Sequence, residues 1–105
     1  MPKFITKFVF LLFMLCIPLL GNTYDVRCTA YTPYECGGYM ANGLWIQEGY
    51  VACDFLPLGT IIYLDGVQYE VGDRIGEGST DHIDIVMNSY DEAIEFGVRY
   101  KDLQY

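Results

Sequence analysis

From residue 26 to Gly78, glycine or proline recurs at short intervals. Short apolar segments are cut off by "GG", "NG", "PLG", "DG" and "GEG". Such pairs mark reversals and break helices, so most of this region is confined to short strands joined by turns. "VRCTAYTPY" alternates around Val26, Cys28 and Ala30 and stops at Pro33. "ECGGYMANGLW" reads as a loop, and "GYVACDF" as a strand ended by the "LPLGT" turn. "IIYLDGVQYEVGD" reads as a hairpin turning on Asp65-Gly66, and Asp-Gly is a strong two-residue turn signal. "HIDIVM" and "VRYKDLQY" complete the strands. One helix is expected in "SYDEAIEFG": Ser89 fits as N-cap, Glu92 completes a capping box, and Gly97 suits the position past the last turn. Six or so short strands with one helix suggest a small β-barrel.

The first residues follow different rules. Lys3 and Lys7 precede an apolar run from Phe8 to Leu20, 13 residues broken by Pro18. A bilayer-spanning helix takes about 20 residues. Residues 1–23 therefore read as a secretory signal peptide, or as an uncleaved anchor, and residues 24–105 as one domain. With Lys3 and Lys7 counted in the leader, four of the six basic residues remain against all 14 acidic ones. That balance argues against a nucleic-acid partner. The expected location is secreted or cell-wall associated.

Cys28, Cys36 and Cys53 follow the leader, and an odd count leaves one thiol free or paired with another chain. The expectation is a monomer, or a disulfide dimer. With no C-x-x-C pair and a single histidine, His82, no metal site is expected. Cys53 and His82 could be drawn as a nucleophile pair, but nothing in the sequence orients the histidine.

Three aspartates adjoin apolar strands: Asp54 after "YVAC", Asp73 after "YEV", and Asp84 inside "HIDIVM". Strand alternation puts His82, Asp84 and Val86 on one face and Ile83, Ile85 and Met87 on the other. A free aspartate titrates near pH 3.9 and is a poor proton donor at neutral pH. Desolvation or a neighbouring carboxylate would raise it. Asp73 and Asp54 are the candidate neighbours, and Asp73 and Asp84 together could serve a glycosidic bond, whose leaving oxygen needs a proton. Aspartates at strand ends also tie down loops, and Asp54, beside the "LPLGT" turn, reads first in that way.

These residues carry a family resemblance. "CTAYTPYECGGYMANG", "GYVACDFLPLGTIIYL", "YEVGDRIG", "HIDIVM" and "SYDEAIEFGVRY" resemble, in order and spacing, the 3D (three-aspartate) domain of secreted bacterial and phage proteins. The resemblance spans about residues 26 to 105. It implies a mainly β fold, a six-stranded double-psi β-barrel with one short helix. That fold is similar to the catalytic domain of MltA-type lytic transglycosylases and to the stationary-phase survival proteins of Gram-positive bacteria. Those enzymes cut peptidoglycan glycan strands between N-acetylmuramic acid and N-acetylglucosamine and leave a 1,6-anhydromuramic end. By resemblance Asp84 is the acid/base and Asp73 its support. Asp54, Asn42, His82 and Ser79 are assigned to substrate binding or to structure. The substrate's own 6-hydroxyl is the nucleophile in such enzymes, so no metal or cofactor is implied. The chain departs from the family at "DRIGEGST", where the usual run resembles D-T-G-G-A-I-K-G: Ile75 replaces a glycine, and Ser79 stands where a basic residue is usual. Asn42 replaces a hydroxyl residue. These departures motivate the alternative of a non-catalytic, glycan-binding or wall-loosening barrel like the expansins.

Overall fold

The computed structural model describes residues 23–105. The expected leader lies outside them, apart from Thr23, which already belongs to the first strand. Six strands form a closed barrel: β1 (Thr23–Tyr31), β2 (Tyr50–Cys53), β3 (Ile61–Leu64), β4 (Val67–Asp73), β5 (His82–Val86) and β6 (Arg99–Gln104). Around the barrel they run β1-β5-β2-β4-β3-β6. β1 pairs parallel with β5, and β2 parallel with β4; the other four pairings are antiparallel. A simple meander has no parallel neighbours. These two pairings come from crossed connections of the kind a double-psi barrel requires.

Local signals explain most of the elements. Leu64 pairs with Val67, leaving Asp65-Gly66 as the two-residue turn, both with positive φ (48° and 83°). The helix α2 (Tyr90–Phe96) starts at Ser89, whose hydroxyl accepts from the Glu92 N–H at 3.3 Å, and ends at Gly97 with φ 60°. Its buried side is Ala93 and Phe96. One element departs from expectation: Pro33 does not merely stop a strand but opens a single helical turn, α1 (Pro33–Cys36). Proline suits the first helical position because its missing N–H would have no partner there.

Alternation along the strands gives the barrel wall two apolar faces. Val26, Cys28, Val51, Cys53, Ile62, Leu64, Val71, Ile83, Ile85 and Leu103 point inward, with Phe96 of α2 joining this core. Cys28 and Cys53 are free thiols inside it. Burial pushes the Cys28 thiol up to about 11, so neither a disulfide between chains nor nucleophilic chemistry suits these positions. A second, smaller cluster lies outside the wall. There Met40 and Ile46, from the loop between α1 and β2, pack on Tyr31, Ala52 and Val86.

A β-bulge lets that loop come close. Val51 pairs with Val71, but Ala52 pairs with Asp73, so Gly72 is the extra residue. A Cβ at Gly72 would lie 2.7 Å from the Tyr50 ring and 2.8 Å from Asn42 Nδ2. The Gly72 carbonyl accepts from the Asn42 N–H at 3.0 Å. Gly72→Ala is therefore expected to push the 40–42 loop off the barrel and to cost about 1–3 kcal/mol, as overpacking does. Thermal unfolding of the variant measures this; an unchanged Tm would show that the loop yields freely.

Candidate active site

Cross-strand register sets four residues in a row on the outer face. Thr29 of β1 pairs with Asp84 of β5, Asp84 with Ala52 of β2, and Ala52 with Asp73 of β4. Directly paired residues project to the same side of a sheet. The expected face of "HIDIVM" is therefore the observed one: Ile83 and Ile85 fill the barrel, while His82 and Asp84 look outward.

Asp84 is half-buried. Its Oδ1 lies 2.9 Å from the Thr29 hydroxyl, and that hydroxyl lies 2.7 Å from His82 Nε2. The other ring nitrogen of His82 is hydrogen-bonded to Glu77. Burial pushes the Asp84 carboxyl above the usual aspartate range. The Thr29 hydroxyl and His82 pull it back down, while the charges of Glu35 and Glu77 push it up. A carboxyl raised in this way holds a proton closer to neutral pH, as a general acid must.

The other two aspartates are occupied with backbone. Asp73 accepts from the Ala41 N–H at 3.0 Å, the Arg74 N–H at 2.9 Å and the Tyr31 hydroxyl at 3.2 Å. It shares the face of Asp84, but Ala52 stands between them, and its partners lie in three places: Tyr31 at the end of β1, Ala41 in the loop between α1 and β2, and Arg74 just past β4. Asp54 accepts from four successive N–H groups, those of Ile75, Gly76, Glu77 and Gly78, at 2.8–3.2 Å. These bonds, that from Gly76 foremost, hold its carboxyl below the usual range. Asp54 thus ties the loop between β4 and β5 into a turn, as its position beside "LPLGT" led us to expect.

The remaining expected site residues are dispersed. His82 is buried beside Asp84. Asn42 turns its own loop, accepting from the Leu44 N–H at 2.9 Å. Ser79 bonds to Asp81 within the β4–β5 loop. Cys53 and His82 lie on opposite faces of the wall, which rules out their pairing as nucleophile and base. Thr29, Glu77 and Glu35 were not singled out in the sequence as site residues. Thr29 had one available signal: alternation in "RCTAY" places it opposite Cys28 and Ala30, on the outer side.

Tyr39 and Trp45 flank the site's covering loop. They form an antiparallel bridge, their rings meet edge-to-face at 5.4 Å between centroids, and both are exposed. Among the described residues, no group of three or more His, Cys, Asp or Glu side chains is placed to hold a metal ion. No family model and no curated protein matches the chain significantly.

Two variants separate the roles of these carboxylates. The folded Asp84 binds its proton more tightly than the unfolded one. Its contribution to stability is therefore present below about pH 3.9 and is lost as pH rises through the raised folded value. Asp84→Asn removes the ionised group and is expected to raise Tm at pH 7, with the two proteins converging below about pH 4. A lower Tm at pH 7 would make Asp84 a structural carboxylate. Asp54 has the opposite sign: its contribution is present above the ordinary aspartate value and is lost as pH falls through its depressed folded value. Asp54→Asn is expected to destabilise by about 1 kcal/mol at pH 7, since solvent competes for the freed N–H groups. The deficit should shrink below about pH 4 in a pH series of melting curves.

Proposed function

We propose that this protein is an exported peptidoglycan lytic transglycosylase in which Asp84 acts as general acid and then as general base. One observation carries the reading. Of the three aspartates, Asp84 alone is a half-buried carboxyl on the outer barrel face whose partner is a side-chain hydroxyl rather than a set of backbone N–H groups. Asp54 and Asp73 hold loops; burial raises the Asp84 carboxyl above the usual aspartate range. The resemblance of "CDFLPLGT", "GDRIG" and "HIDIVM" to the 3D domain supports the same assignment.

The chemistry needs one titratable group that changes role. Protonated Asp84 gives its proton to the glycosidic oxygen as the bond to N-acetylmuramic acid breaks. The resulting carboxylate takes the proton from the muramic 6-hydroxyl as that oxygen closes on C1. The proton count returns to its start, and no water is consumed. A hydrolase would instead need a second group to activate water or to attack. Asp73, on β4 beyond β2 and bound to Tyr31 and the Ala41 N–H, fixes the loop between α1 and β2.

A specific observation favours a second reading, a non-catalytic glycan-binding barrel. The exposed Tyr39–Trp45 pair offers aromatic surface to a sugar ring, and "DRIGEGST" has no basic residue after Arg74 with which to grip the glycan.

Mass spectrometry of purified peptidoglycan after incubation with the protein separates the two. The expected products carry 1,6-anhydromuramic ends, are lost in Asp84→Asn, and form more slowly as pH rises through the raised Asp84 value. Hydrolysed reducing ends would refute the transglycosylase. No products, together with a change in Trp45 fluorescence on adding glycan fragments, would establish the binding module. Trp45 is the single tryptophan of the chain, so that signal has one source.

A further inference from the structure

The hydrogen bonds reaching Asp84 form a chain of four side chains from three segments. Glu77, in the β4–β5 loop, bonds to His82 Nδ1. His82 Nε2 lies 2.7 Å from Thr29 Oγ1, and Thr29 Oγ1 lies 2.9 Å from Asp84 Oδ1. A hydroxyl has one proton to give, and an imidazole has one or two. With Glu77 ionised, that inventory leaves two arrangements that satisfy every bond. In the first, Asp84 is a carboxylate. Thr29 donates to it and must accept from Nε2–H, while Nδ1–H donates to Glu77, so the ring is an imidazolium. In the second, Asp84 is protonated and donates to Thr29. Thr29 donates to a bare Nε2, and the neutral ring keeps Nδ1–H on Glu77.

The two arrangements contain the same atoms and the same number of protons. Passing from the first to the second, Nε2–H gives its proton to Thr29 Oγ1, and Thr29 gives its own to Asp84 Oδ1. A cation and an anion become two neutral groups. We propose that His82 and Thr29, held by Glu77, are a proton relay that stores the working proton of Asp84 and delivers it when a glycan covers the groove. The proposal rests on Asp84 being the general acid. Delivery follows from desolvation: a covering substrate removes water from both charges, and burial favours neutral forms over ionised ones. The acid is then armed where substrate is present.

Charged and titratable groups around the relay come from each adjoining element. Arg27 on β1 lies 3.8 Å from Glu77 and supplies its counter-charge. Glu35 on α1 adds negative potential at Asp84. Asp73 on β4 stands beyond Ala52. The Asp54 cradle includes the Glu77 N–H and fixes the loop that carries this side chain. His82, Thr29 and Glu77 are positioning residues, since they act through Asp84.

His82 is the single histidine of the chain, so its ring ¹⁵N signals in tag-free protein are unambiguous. The native protein is titrated by NMR, following those signals and the Asp84 carboxyl ¹³C. A shared proton makes both groups report the same macroscopic steps. We expect common steps in the native protein, a neutral ring protonated on Nδ1, and loss of the common step in Thr29→Val. Independent single-step curves, or a neutral ring protonated on Nε2, would overturn the relay. The native titration needs no variant to fold. In the pH profile of glycan cleavage, Thr29→Val and His82→Asn are expected to lower the alkaline limb by about one pH unit or more while KM stays within about twofold. An unmoved limb would also overturn the relay. Common NMR steps without cleavage at any pH would support the relay and refute the cleavage reading. Cleavage that depends on Asp84 with independent titrations would do the reverse.

Discussion

Strand β5 is one residue thick and must satisfy two environments at once. Ile83 and Ile85 fill the barrel, while His82, Asp84 and Val86 meet the loops packed on its outside. The same demand falls on β1 and β2, where Cys28, Val51 and Cys53 face inward and Thr29, Tyr31 and Ala52 face outward. A register slip of one residue in β5 would put His82 and Asp84 into the barrel core and expel Ile83 and Ile85. That penalty is large, so the inner core fixes the outer row. The position of Asp84 against Thr29 is thus a by-product of packing that neither residue takes part in.

The loops reach their places by a different route. They bury little apolar surface apart from Met40, Ile46 and Leu56, and they are held by carboxylates that gather backbone N–H groups. Asp54 gathers four, Asp73 gathers two, and the Arg74 guanidinium bonds to the carbonyls of Cys53 and Leu56 at the end of β2. Two of the three aspartates are therefore spent on holding loops. The third, on β5, has the Thr29 hydroxyl for a partner and can change its charge without releasing a loop.

Much of this was legible in the residues. The Asp65-Gly66 turn, the Ser89 cap, the faces of "HIDIVM" and the tying role of Asp54 all follow from local chemistry, and local chemistry is what a sequence displays. The parts that were not legible depend on partners distant along the chain. Thr29 meets Asp84 across 55 positions through a parallel pairing that no short pattern encodes. Glu77 could not be placed beside His82 from the residues alone, because that contact exists only once Asp54 has folded the intervening loop. The eleven-residue spacing of Asp73 and Asp84 made them natural neighbours, yet the strand order inserts β2, and the bulge at Gly72 aims Asp73 at the covering loop. Pro33 read as a stop and proved to be the start of α1, since the same fixed φ serves both.

The barrel's closing seam has a consequence for the timing of folding. β1 pairs on one side with β5 and on the other with β6, so the first described strand is completed by the last two. During synthesis β1 waits, with both edges unpaired, until nearly all of the sequence through Gln104 is available. Pairings this distant along the chain are slow to form, and open strand edges invite association with other chains. The finished barrel has no open edge. The hazard therefore belongs to the nascent chain, and a helper that shields β1 would matter more to the yield of this protein than to its final stability.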